Sequence, residues 1–371
     1  MDAQSGPVGS EAFGRFFLPG PTEVRPEVLA SQARPMIGHR GAAIQELMGE
    51  IQVGLRSVFR TERPVLVSSS SATGFMEAGI RNGAPRKVLS LVNGAFSERF
   101  AEIAEACGVE VDRIEVPWGR APDPHALADA LRAGSYDAVT VVHSETSTGV
   151  LNPIEDFASV VAKFPGTFLL VDSVTGVGGA PVHTDEWGLD FVLTGSQKAL
   201  ALPPGLAFAV ASEALMERST TMTGKGVYFD LVAFARNLEK LQTPNTPAVS
   251  LLYALREQLA HIEAETMEAR WARHARMAQR TGEWVDAMAS DRGIPLRVLA
   301  PVGFRSPTVT CVELPEGVRG PSVVASMRDR GWTIGGGYGK LKEETIRIGH
   351  MGDHTVEELD DLLGELTEVL S

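Results

Sequence analysis

Short apolar runs rich in β-branched residues alternate with helix-like segments between about residues 60 and 210. The runs are PVLVSS (64–69), KVLSLV (87–92), VDRIEV (111–116), AVTVVHS (138–144), FLLVDS (168–173), FVLTG (191–195) and LAFAVAS (206–212). Near-continuous apolar strands separated by helices predict an α/β protein with a mostly parallel sheet covered on both faces. Ligands of such sheets bind beyond the carboxyl ends of the strands. From 248 to 290 the period changes to helical, in SLLYALREQLAHI and EARWARHARMAQRTGEWVDAM, which reads as a connecting helix into a second unit. That unit reads as strand (307–314), helix (321–330), strand (345–349) and a last helix from about 356. Thr355 and Glu358 are spaced as a capping box for this last helix.

The 371 residues suggest two or three domains, with 44% hydrophobic and 22% charged residues as in a compact globular protein. The net charge is −13 and the basic residues are dispersed, which argues against nucleic acid as a partner. Cys107 and Cys311 lie far apart, so neither a disulfide framework nor a CxxC site is expected. The opening residues show no basic stretch followed by an apolar core, and no apolar run approaches the ~20 residues of a membrane helix. A cytoplasmic protein with no membrane contact is the expectation.

Against this pattern one residue is out of place. In FVLTGSQKAL, residues 191–200, Lys198 stands between apolar runs, and lysines are rarely buried unless something pairs with them or changes their chemistry. A desolvated lysine loses its proton more readily and becomes a usable nucleophile. Two other strand ends carry polar groups. VLVSSSSATGFMEA (65–78) runs from a strand through a Ser-rich turn into a helix near Thr73, so Ser71, Ala72 and Thr73 can form a phosphate cup at a helix start. Taken alone, they read first as ordinary helix caps. FLLVDS ends in Asp172, which either caps the next element or holds a cationic group. A cup, an acidic strand end and, 26 residues after the acid, a lysine in apolar context are together what pyridoxal phosphate requires.

Rival chemistry is weaker. There is no GxSxG elbow, and GGGYGK (335–340) lacks the Ser or Thr of a P-loop. His350 and His354 in HMGDH are spaced like metal ligands, but such a pair without further ligands is more often structural, so no metal is expected. His143 and His183 read the same way.

The blocks FFLPGPTEVRPEVL, PMIGHRG, VNGAFSERF, HSETSTGVLNP, LLVDSVTGVGG, TGSQKALALPPG, PNTPAVSLLYALRE and RIGHMG, in this order over nearly the whole chain, resemble the class V aminotransferases of fold type I. The likeness is greatest to the alanine–glyoxylate and serine–glyoxylate group. It implies a large cofactor-binding domain over 15–258 around a mostly parallel seven-stranded sheet, a smaller α+β C-terminal domain over 259–371, and an N-terminal arm over 1–14.

By the same resemblance Lys198 is the Schiff-base lysine and Asp172 the partner of the pyridine nitrogen. Ser71, Ala72, Thr73 and Gln197 match the phosphate site, Ser147 a hydroxyl near the ring, and Phe96 the aromatic that stacks on it. Val174 also falls among the cofactor contacts. Thr246 in PNTP matches a residue that reaches the phosphate from the partner subunit of a homodimer, and Thr243 stands where some relatives have a tyrosine. Arg347 matches the clamp on the substrate carboxylate, with Gly20 beside the substrate. Arg40, with His39, is a candidate for a second anionic group.

The implied activity is transfer of an amino group from alanine or serine to glyoxylate or pyruvate by a ping-pong mechanism. The alternatives on the same fold are phosphoserine, aspartate or aminoethylphosphonate transaminases and a cysteine desulfurase or lyase. The last needs a placed thiol, and neither Cys107 nor Cys311 is so placed in the pattern.

Overall fold

A computed structural model describes residues 13–371; the expected arm over 1–14 lies outside the described residues except for its last two. The seven apolar runs form one seven-stranded sheet. Its spatial order is Leu66–Ser68, Ala207–Ala211, Phe191–Gly195, Phe168–Asp172, Ala138–Val142, Lys87–Val92, Glu110–Glu115. The last five pair in parallel, whereas Ala207–Ala211 runs antiparallel to both of its neighbours. The strands Phe168–Asp172, Phe191–Gly195 and Ala138–Val142 are buried at every residue, as their unbroken apolar sequence requires. The edge strand Glu110–Glu115 instead keeps polar residues half or fully exposed. This is the mostly parallel seven-stranded sheet that the resemblance implies.

All five strands of the parallel block end on one side. Their carboxyl ends bring Val142, Asp172 and, in the turn after Phe191–Gly195, Gln197 and Lys198 to one crevice, and Leu66–Ser68 opens into the turn before the helix Ala72–Gly83. Topology alone thus gathers the polar strand ends.

A second, five-stranded sheet is ordered Phe16–Phe17, Thr333–Gly336, Thr345–Ile348, Thr310–Glu313, Arg297–Val298. It packs with the helices Met267–Arg292, Gly320–Asp329 and Val356–Leu370 around a separate apolar core that includes Phe17, Val312, Ile346 and Leu362. The last helix opens with the expected capping box: Thr355 Oγ1 accepts from the Glu358 N–H at 3.2 Å, and the Glu358 carboxylate from the Thr355 N–H at 2.9 Å.

Two details depart from the sequence reading. Phe16–Phe17, expected in the large domain, adds in parallel to Thr333–Gly336, because the Phe17 ring completes the second core. The single connecting helix is two, Val249–Glu265 and Met267–Arg292, broken at Thr266, whose φ of 70° cannot continue a helix and whose hydroxyl caps the next one. Among the described residues no helix is long and apolar enough to cross a membrane.

Candidate active site

Lys198 lies in the turn after Phe191–Gly195 and is only 9% exposed. Burial pushes its amine down to about 8, assisted by the nearby positive charges of Arg347 and Arg99 and opposed by Asp172. Its Nζ donates to the carbonyl of Pro19. The chain passes so close there that residue 20 must be glycine. Its φ is +99°, and a Cβ on it would fall 2.2 Å from the Lys198 Nζ.

Asp172, at the end of Phe168–Asp172, is buried and accepts from the Val174 N–H at 2.9 Å. Burial raises its carboxyl to about 7, against that hydrogen bond. An amine and a carboxyl that both titrate near neutrality, within one crevice, have the character of a functional pair.

The two groups face a cavity of about 290 Å³. Ser71, Ala72 and Thr73 form one wall, and Gly20, Phe96, Val174, Gln197, Asp172 and Lys198 line the rest with others. Ser71 is the N-cap of Ala72–Gly83, yet its side chain makes no capping bond. The ordinary helix-cap reading therefore fails here: the Gly74 N–H is taken by the Ser71 carbonyl at 3.0 Å, while the Ser71 hydroxyl and the Ala72 and Thr73 N–H groups remain for an anion.

Arg347, in Thr345–Ile348, does not itself line the cavity: its guanidinium donates to the Gly336 carbonyl (Nε, 2.8 Å) and the Thr146 carbonyl (Nη1, 3.2 Å), yet its charge is close enough to depress the Lys198 amine.

Some expected residues are elsewhere. Ser147 does not line the cavity: its hydroxyl donates to Glu145 at 2.6 Å and accepts from the Ala95 N–H at 3.0 Å, and Thr146 takes the wall position one residue earlier. Arg40 is not beside the cavity of its own chain. Its guanidinium is occupied by the carbonyls of Thr243 (2.7 Å) and Pro244 (3.1 Å), and His39 does not line the cavity either. Thr246 is exposed and away from the cavity, and Thr243 donates to the Asn245 carbonyl at 2.7 Å.

His350 bonds Thr310 and His354 bonds the Phe16 carbonyl, both buried structural roles. His143 contacts Ser173 at 3.0 Å behind the wall, and burial pushes its imidazole down to about 4. Burial raises the Cys311 thiol to about 11 and also raises that of Cys107, the opposite of what a nucleophilic thiol needs.

Three participants escaped the sequence reading. Arg99 and Tyr338 line the cavity and bond one another, Nη2 donating to Oη at 3.1 Å. Glu145 is fully buried. Its carboxylate accepts from the N–H groups of Phe96 (3.2 Å), Ser97 (2.9 Å) and Ser147 (3.1 Å) and from the Ser97 hydroxyl (3.0 Å). It thereby sits as an anion at the start of the helix Ala95–Ala106, which carries Phe96. The signal for it was an acid in an otherwise hydroxyl-rich strand end.

An uncapped helix start, a buried amine and a buried carboxylate across one cavity are the donor set that pyridoxal phosphate needs. The residue 20 backbone, packed against Lys198, leaves the amine facing that cavity. The family model Aminotransferase class-V matches residues 30–331. The chain belongs to the class-V aminotransferases.

Class-V aminotransferases use pyridoxal phosphate, and the cavity residues fit that cofactor. The chain is 38% identical to the small subunit of a soluble hydrogenase of Synechococcus sp. (strain PCC 6716), over 91% of this chain and 88% of that protein. It is 32% identical to the L-aspartate–glyoxylate aminotransferase of Paracoccus denitrificans, over 92% of this chain and 87% of the relative. A solved structure of an alanine–glyoxylate aminotransferase from Nostoc sp. superposes with a TM-score of 0.92 at 32% identity, covering 100% of this chain and 98% of the other.

Proposed function

We propose that this class-V aminotransferase moves the amino group of a small L-amino acid, alanine or serine, to glyoxylate or pyruvate in two half-reactions. The observation that carries the reading is the convergence of Lys198, Asp172 and the uncapped start of Ala72–Gly83 on one small cavity. Bound there, pyridoxal phosphate supplies an aldehyde to take up the amino group and an electron-poor ring to draw charge from the substrate carbon.

The protein residues do the rest. Ser71, Thr73, Gln197 and the first-turn N–H groups hold the phosphate. Asp172, its carboxyl held near neutrality by burial, hydrogen-bonds the ring nitrogen and keeps the proton there. Phe96 packs against the ring, its own backbone fixed by Glu145. Lys198, held near pH 8 at its amine, can both take and return a proton at the substrate Cα. Arg347 offers its guanidinium to the α-carboxylate, which orients the Cα–H toward the lysine.

Thr246 and Arg40 belong in this reading to a second subunit's site. Thr246 is exposed on a turn that Arg40 holds by two backbone bonds, which suits a projection into a partner of a homodimer. The division into a cofactor domain and a C-terminal domain goes with it, supported by the two separate apolar cores, although Phe17 packs in the second core and Leu259, Ile262 and Met267 in the first, across the expected boundaries of 15–258 and 259–371.

A second reading, an acidic donor such as aspartate, is favoured by Arg99, which lines the cavity and can meet a second carboxylate. The test is the absorption spectrum of the yellow holoenzyme after alanine, serine, aspartate, phosphoserine or cysteine is added singly without an acceptor. Bleaching by alanine or serine supports the first reading and by aspartate alone the second. A protein that stays yellow with all of them defeats both. Light scattering of the eluted protein tests the dimer.

A further inference from the structure

We propose that Tyr338 is the specificity-determining wall of this active site, restricting amino donors to small side chains. The inference rests on the reading that the site takes small amino acids, and deepens it.

Tyr338 and Arg99 line the active cavity of about 290 Å³ and also a separate surface groove of about 490 Å³. These two side chains are thus the partition between the spaces. The Tyr338 ring lies 5.4 Å from the Phe96 ring and has the Arg347 guanidinium 5.4 Å from its centroid. It stands between the residue that packs on the cofactor and the residue that takes the substrate carboxylate, where a donor side chain must go.

The wall is held in place from several sides. Arg99 donates to the phenol oxygen at 3.1 Å while its guanidinium covers the Phe96 ring at 5.1 Å. The Gly337 N–H bonds the Thr345 carbonyl at 3.0 Å, and a Cβ on Gly337 would fall 2.1 Å from the Leu341 carbonyl oxygen, so the backbone turns tightly just before the tyrosine. Lys340, two residues on, sits over Trp118 at 4.5 Å. The segment is pinned at both flanks.

Truncating Tyr338 joins the two spaces and gives a longer donor side chain somewhere to lie. That extension carries the carboxylates of Glu98, Glu102 and Glu115 against the cations Arg99 and Lys340, beside the Trp118 ring, so it would admit apolar side chains sooner than acidic ones.

The experiment compares wild-type holoenzyme with Tyr338→Ala and Tyr338→Phe. Alanine, methionine and phenylalanine are supplied singly without acceptor, and kcat/KM of cofactor bleaching is measured for each. Tyr338→Ala should raise the rates with methionine and phenylalanine relative to alanine by about tenfold or more, the scale on which apolar pockets discriminate size. Tyr338→Phe should keep the wild-type ratios. Tyr338→Leu, expected to fall between them, replaces the alanine variant should that fail to fold.

A second readout is iodide quenching of cofactor fluorescence in borohydride-reduced holoenzyme, which the truncation should increase. Unchanged donor ratios in the truncated variant overturn the proposal. If wild type and variants bleach with no donor, the small-substrate reading has failed on its own, and the quenching decides the wall: unchanged quenching overturns it.

Discussion

The Lys198 amine should titrate far below an ordinary lysine in the cofactor-free protein. With its value pushed down to about 8, the amine is about one-quarter neutral at pH 7.5. A lysine near 10.4 is neutral to only about 0.1% at that pH, so the cavity raises the reactive fraction about two-hundredfold. Burial is the largest cause and Arg347 the next, with Asp172 opposing. Arg347→Met should therefore move the midpoint to higher pH, and Asp172→Asn to lower pH. The assay is competitive labelling with deuterated acetic anhydride across pH 6 to 11. The Lys198 peptide is quantified by mass spectrometry against free Nα-acetyl-lysine in the same tube. Restricted access lowers the amplitude of labelling but leaves the midpoint unchanged, so the midpoint alone reports the electrostatics. A midpoint near 10.4 in the wild type, or one that Arg347→Met does not move, would refute the claim that desolvation and the arginine prepare this amine.

Arg270 is fully buried and binds Asp353 at 2.8 Å, Glu265 at 2.9 Å and the carbonyls of Gly178 and Ala199. Arg270→Met leaves the buried Asp353 carboxylate with only Arg25 and Gln258, and the carbonyls of Gly178 and Ala199 without this donor, and should cost about 3–5 kcal/mol. Over 371 residues an unfolding entropy of ~2.1 cal/mol/K per residue makes that a fall of about 4–6 °C in Tm, read by calorimetry. The Asp353 carboxyl is held far below its usual range, chiefly by Arg270 against the cost of burial. Its stabilisation is complete above an unfolded value near 3.9 and lost as pH falls toward the folded one, so wild type and Arg270→Met should converge in acid melts. Gly20→Ala places a methyl against the Lys198 Nζ at a φ of +99°, and the holoenzyme should lose its yellow colour faster on dialysis. Glu145→Ala leaves the N–H groups of Phe96, Ser97 and Ser147 without an acceptor and should destabilise by about 1–3 kcal/mol in a denaturant titration. It should also weaken the near-UV dichroism of the bound cofactor.

The large sheet was legible because its central strands are buried along near-continuous apolar runs, and period alone finds such segments; the edge strand Glu110–Glu115 is the more polar exception. Lys198 and Asp172 stood out for the same reason, a charge at the end of an apolar strand having few structural uses. Phe16–Phe17 is two residues long and pairs with Thr333 and Ile334, near the other end of the chain, only through the folded core, so no local pattern announces it. Arg99 reads in sequence as one more charge on a surface helix beside Glu98. Only the packing of Tyr338, from a loop 239 residues away, turns it inward. Ser147 and Thr146 illustrate the resolution of a motif: neighbouring hydroxyls in a strand end face opposite ways, and a motif cannot choose between them.

These long-range contacts also show how the buried Lys198 is held. Pro19 and Gly20, which follow the strand joined to the C-terminal sheet, press on Lys198 from one side. Arg270, from the helix Met267–Arg292, holds the carbonyl of Ala199 at 2.8 Å on the other. Arg347 brings the charge that helps depress the amine from a third element, Thr345–Ile348. The lysine is carried by the large sheet, yet its position and proton affinity depend on parts of the chain that belong to the second core. A packing defect in that core should therefore alter the Lys198 titration before it alters the sheet, which is why the labelling midpoint and the melting temperature together separate loss of the site from loss of the fold.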